Sequence, residues 1–235
     1  MMSDKLRGPT RRQFLGSLSG TAVAAALPLV SAPIAQAQAS ESAYQPSYLT
    51  ATEWSFLNAA VLRLIPAEEE GPDGVSAGVP EFIDRQMELP YGHGAYSYMQ
   101  GPFVPDAPAT LGYQFRYTPR ELYRLGIAGA EVACRKKFGK TFAELPPEDQ
   151  DQFLTALEHN AVEMDGPPAA VFFAQLLRNV REGYFADPMY GGNRHMGGWK
   201  LIGFPGARAD FTDWLDQQGK PYPYGPVPVR GSKDA

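Results

Sequence analysis

Few side chains in this sequence carry groups that do chemistry, and their spacing decides what they can be asked to do. There are three histidines, His93, His159 and His195, and a single cysteine, Cys134. No two histidines stand in H-E-x-x-H or another ligand-pair spacing, so a zinc site has no support. His93 and His195 read as loop residues, and His159 falls near a helix end, where an imidazole facing the dipole is unremarkable. One cysteine makes no intrachain disulfide, no C-x-x-C-H haem attachment and no thiolate-ligated cluster. In Glu131-Val132-Ala133-Cys134 it reads as a small buried hydrophobe. No G-x-G-x-x-G follows a strand, so a nicotinamide or flavin fold is not expected, nor is a serine nucleophile of the elbow type. The acidic run Glu68-Glu69-Glu70 with Asp73 lacks the spaced ligands of an EF-hand. The pairs Asp84–Arg85 and Asp187–Arg194 read as surface ion pairs. The expectation is a chain with no catalytic residue, no cofactor and no metal of its own.

The one motif with a specific job lies at the N-terminus. Lys5, Arg7, Arg11 and Arg12 form a basic region, and Arg11 and Arg12 stand just before Phe14 and Leu15. An uncharged stretch from Leu18 to Val30 follows, then small-residue cleavage sites at Ala35-Gln36-Ala37 and Ala37-Gln38-Ala39. These parts in this order read as a twin-arginine signal peptide over residues 1–37, with cleavage after 37 or after 39. A periplasmic location and passage through the twin-arginine translocase follow as expectations. Proteins take that route folded, often because they hold a cofactor or a partner, and this chain shows no cofactor motif.

The remaining residues, 38–235, are expected to form one domain. The full chain has 21 basic and 26 acidic side chains. Four of the basic and one of the acidic ones leave with the leader, so the mature chain keeps 17 basic against 25 acidic. A surplus of that sign argues against nucleic acid as a partner.

Helix starts dominate the patterning. Thr50-Ala51-Thr52-Glu53 is a capping box, and Trp54, Leu57, Val61, Leu62 and Ile65 then recur at helical spacing until Pro66, predicting a helix over 51–65. Pro80 opens a brief helix that ends before Pro90. Thr118-Pro119-Arg120-Glu121 starts a long helix that Gly139 closes. Thr141-Phe142-Ala143-Glu144 leads through Pro146-Pro147 into a helix carrying Phe153, Leu154 and Leu157. Asp165-Gly166-Pro167-Pro168 starts another that ends near Gly183. A short helix is also read over 210–217. The fold expected is all-α, an irregular helical domain with long Gly/Pro/aromatic-rich loops.

Two of those loops carry most of the remaining interest. Residues 90–117 hold seven Tyr and Phe rings, which either plug a small core or form an ordered functional loop. Residues 187–206 hold Asp187, Tyr190, Asn193, Arg194, His195, Trp199, Lys200 and Phe204 among six glycines, a density that argues against regular helix. Trp, Tyr and Arg are the types that dominate protein–protein binding energy, which makes this segment a candidate partner interface. Folding back onto the helices, with Trp199 as a core plug, is the competing reading.

Several runs together resemble a known family. They are Arg63-Leu64-Ile65-Pro66-Ala67, Ala77 to Gln86, Tyr117 to Tyr123, Phe172-Phe173, Glu182 to Arg194 and Gly198 to Gly206. In that order they are similar to the small subunit, subunit 3, of membrane-bound gluconate 2-dehydrogenase and related complexes. The resemblance implies a non-catalytic subunit beside a large FAD-binding dehydrogenase of the glucose–methanol–choline type. It also implies a membrane-anchored multihaem cytochrome c subunit, with FAD and haem c held by the partners. Such a small subunit stabilises the flavoprotein and escorts it through twin-arginine export. A free-standing periplasmic carbohydrate-binding module, or an enzyme using the 187–206 loop, is the alternative.

Overall fold

The structure, a computed structural model, describes residues 44–209 and 212–230. The leader expectation, with Arg11, Arg12, Phe14 and Leu15, lies outside the described residues. Among the described residues there are six α-helices: α1 Ala51–Leu64, α2 Val79–Glu88, α3 Pro119–Phe138, α4 Pro147–Glu158, α5 Ala169–Phe185 and α6 Gly197–Ile202. Among the described residues there is no strand, only an isolated bridge between Gly206 and Val227. The all-α class read from the sequence is the class observed.

Local sequence explains where the helices begin. Thr50 and Glu53 make the reciprocal capping box, with the Glu53 carboxylate accepting from the Thr50 amide at 2.8 Å. Thr118 and Glu121 repeat it on α3, with Pro119 in the first turn and Gly139 ending the helix in a left-handed conformation. Thr141 and Glu144 also form the box, yet it opens only a 3-10 turn, Phe142–Glu144. Pro146 and Pro147 follow too soon: a proline disfavours α geometry in the residue before it and supplies no amide. The helix restarts at Pro147. Of the short helix read over 210–217, the described part is a 3-10 turn, Thr212–Trp214. Trp214, the last residue of this turn, packs edge-on against Tyr222, with ring centroids 5.6 Å apart.

α5 is the hub and packs on α2, α3 and α4. Phe172, Leu176 and Val180 on one of its faces are buried. Phe56 of α1 sits between Phe142 and Phe172, with ring centroids 4.8 and 6.1 Å away, and Tyr123 of α3 meets Phe172 edge-on at 6.2 Å. No helix among the described residues is long and apolar enough to cross a membrane.

One buried carboxyl works against this core. Glu131 on α3 is buried, and its Oε2 has no hydrogen-bond partner, although Arg135 Nη2 stands 3.4 Å away. Desolvation raises its pKa above the usual carboxylate value. A carboxyl whose folded pKa lies above its unfolded one costs nothing below both values, and destabilises progressively as pH rises through the interval between them. Glu131→Gln is therefore expected to raise stability at pH 7 relative to the parent, with no gain at pH 4. Urea unfolding at both pH values checks it, and a variant less stable than the parent at pH 7 refutes it.

Candidate functional site

Residues 187–206 follow α5 directly and are held by an inner set of bonds. Asp187 caps a 3-10 turn through the Met189 amide at 3.0 Å. Asn193, fully buried at 0 % exposure, donates through its side-chain amide to the Ala186 carbonyl at 2.9 Å. Its Oδ1 accepts from the Gly198 amide at 2.9 Å. Arg194 reaches Glu81 on α2, which also pairs with Arg85, and the Arg194 amide donates to the Ala77 carbonyl at 3.0 Å. Trp199 is 5 % exposed, and its indole N–H donates to the Phe185 carbonyl at 2.7 Å.

The expectation that the glycines keep this whole stretch out of regular helix is corrected for Gly197–Ile202, which form α6. Tertiary contact overrides the low propensity of glycine. A Cβ on Gly198 would lie 2.3 Å from the Tyr184 carbonyl oxygen, so only glycine lets α6 approach α5, and Asn193 satisfies an amide of the first turn.

The predicted interface residues therefore separate into two groups. Asn193 and Trp199 are buried and Arg194 is ion-paired, so they set the shape of the segment. Tyr190, His195, Lys200 and Phe204 are exposed. Leu201 and Ile202, which the sequence reading did not single out, are exposed with them, Ile202 to 59 %. Phe204 stacks edge-on against Trp199 at 5.2 Å, which fixes an exposed ring on a buried one. Their outward direction comes from the existence of α6, which the sequence did not announce.

A second feature was missed for a different reason. Asp84, expected in a surface pair with Arg85, is fully buried and accepts from Tyr44, Ser47, Tyr48 and Leu49. It seats the strap that leads into α1. Behind the strap lies a cleft of about 680 Å³ lined by Tyr48, His93, Thr118, Arg120, Glu121, Arg124 and Leu125. The Tyr48 ring lies 4.6 Å from the Arg120 guanidinium and 4.4 Å from that of Arg124. Arg124 is spent on Glu53 and on the Tyr48 carbonyl, and Arg120 on the His93 imidazole at 2.6 Å, so the cleft's charges mostly hold the cleft together.

Other chemistry-bearing side chains stand apart from this segment. Cys134 is buried, and desolvation, then the Glu131 charge, push its thiol pKa up to about 11. Gly74-Val75-Ser76-Ala77-Gly78 does spell G-x-S-x-G, against the expectation of no such elbow, but it forms a turn before α2 with no strand leading in. The Ser76 hydroxyl donates to Asp73 at 2.6 Å, and the same carboxylate accepts from the Val75 and Ser76 amides. That is turn chemistry. Among the described residues, no three of His, Cys, Asp and Glu gather in a way that could hold a metal.

A family model described as gluconate 2-dehydrogenase subunit 3 matches residues 51–206. The chain belongs to this family. It is thus a subunit of a dehydrogenase complex of the gluconate 2-dehydrogenase kind. No curated protein and no solved structure matches the chain. The family span begins with the first residue of α1 and ends at Gly206, so it takes in all six helices and the whole 187–206 segment. The strap before α1 and the residues after 206 lie outside it.

Proposed function

We propose that the chain is the non-catalytic small subunit of a periplasmic, FAD-dependent sugar or sugar-acid dehydrogenase complex. It docks on the large flavoprotein through the 187–206 segment, stabilises it, and carries it through the twin-arginine translocase. FAD belongs to that partner, and haem c to a membrane-anchored multihaem cytochrome subunit that passes electrons onward.

The observation that carries this reading is the outward face of α6. Leu201, Ile202 and Phe204 are exposed on a segment whose other side is fixed by Trp199, Asn193 and Arg194. Exposed apolar side chains grouped on one short element mark contact surfaces more often than isolated ones do. A rigid backing lowers the ordering cost of binding.

Ile202→Asp combined with Phe204→Asp places two charges on that face, and Ile202→Asp alone does so without removing the ring that packs on Trp199. Association with the flavoprotein is expected to weaken by about 2 kcal/mol or more, while helical circular dichroism is retained. Co-purification of the flavin-containing subunit from cells expressing both reads the outcome. Parent-like recovery of the flavoprotein removes this face from the interface.

A further inference from the structure

Beyond Gly206, where the family match ends, residues 225–229 bond back to both ends of the 187–206 segment. The Ala207 amide donates to the Val227 carbonyl at 2.7 Å, and the Val227 amide donates to the Pro205 carbonyl at 3.2 Å. Two residues later the Val229 amide donates to Asp187 Oδ2 at 2.7 Å, on the carboxylate whose other oxygen caps Met189. The returning stretch therefore holds the 187–206 segment at both of its ends. The excursion is closed at its base by Arg208, which donates to the Gly225 carbonyl at 3.2 Å and lies over the Tyr222 and Tyr224 rings at 5.7 and 5.1 Å. Among the described residues, the buried hydrophobic core contains nothing after Trp199.

We infer that residues 207–208 together with 225–229 form a clasp that keeps the Asp187–Gly206 segment in the shape its partner binds. A segment with six glycines gains much backbone entropy when it opens, and pinning both its ends reduces the states open to it. The fit at the closure is close: Gly206 has φ +74°, and a Cβ there would lie 2.3 Å from the Val227 carbonyl oxygen. The hydrogen bonds are observed; the link to partner binding rests on the docking role proposed above.

Two substitutions open the clasp at opposite ends. Val229→Pro removes the amide that Asp187 accepts from, at an exposed position, and Gly206→Ala drives a methyl into the bridge. Because Gly206 also lies near the Trp199 ring, Val229→Pro keeps the test intact if the alanine variant folds poorly. In hydrogen exchange on the mature chain, amides of 187–204 are expected to exchange about tenfold faster, with those of α1, α3 and α5 unchanged. Flavoprotein affinity, measured with the same variants, is expected to fall. Unchanged exchange in 187–204 overturns the clasp, whatever happens to affinity. Faster exchange with unchanged affinity supports the clasp and counts against docking through this segment.

Discussion

Asp84→Ala is expected to cost about 3 kcal/mol or more of folding stability, the range seen when a buried charge network loses one member. The carboxylate accepts five hydrogen bonds. Tyr44 Oη, the Ser47 amide and Ser47 Oγ reach Oδ2 at 2.8, 2.7 and 3.0 Å, and the Tyr48 and Leu49 amides reach Oδ1 at 3.1 and 2.8 Å. Hydrogen bonds to a charged acceptor contribute roughly 1.5–3 kcal/mol each. The loss stays well below their sum, because the freed strap can peel away and return its amides to water. Peeling has its own cost: Leu49 leaves the core, and the Tyr48 carbonyl leaves Arg124.

Asn at this position should rescue little, since all five partners are donors and a side-chain amide turns one acceptor oxygen into another donor. Urea unfolding of the parent, Asp84→Ala and Asp84→Asn tests this, and an asparagine variant within about 0.5 kcal/mol of the parent contradicts the charge-acceptor account. Tyr44 supplies a second readout. Its phenol pKa is pushed up to about 12, first by burial and then by the bond to Asp84. Spectrophotometric titration should find it lower in both variants.

This anchor shows where a sequence stops being readable. Capping boxes are legible because their partners stand three residues apart, and Thr50, Thr118 and Thr141 each made the bonds their spacing implies. Asp84 meets its partners 35 to 40 residues away, so nothing local separates it from a surface aspartate beside an arginine. Residues 187–206 stand between these cases. Composition identified a segment worth examining, yet composition is blind to the Asn193 bond and the close approach at Gly198 that make a helix of Gly197–Ile202. It also treats Trp199 and Phe204 alike as large aromatics. Only the bond from the Trp199 indole to Phe185 and the edge-on packing of Phe204 separate the buried ring from the exposed one.

Replacing Arg11 and Arg12 together by lysine is expected to leave both this chain and its flavoprotein partner in the cytoplasm, with periplasmic flavin-dependent dehydrogenase activity reduced about tenfold or more. Lysine keeps the charge but loses the planar, multi-donor guanidinium, so charge alone does not account for the loss. On the proposed twin-arginine route the leader would be recognised on a chain that has already folded. The flavoprotein can therefore share it only by being bound beforehand, and export of the partner becomes a readout of docking as well as of the signal. The Ile202→Asp, Phe204→Asp variant separates the two. It keeps the arginine pair, so the small subunit itself should still be exported while the flavoprotein stays behind. In the lysine pair neither should leave the cytoplasm. Fractionation of cells expressing each variant, with blots for both subunits, distinguishes these patterns. If flavin-dependent activity reaches the periplasm in the lysine variant, the partner carries a signal of its own and the escort role falls. If it does so only in the aspartate variant, the escort role stands and the docking face lies elsewhere on the helical body.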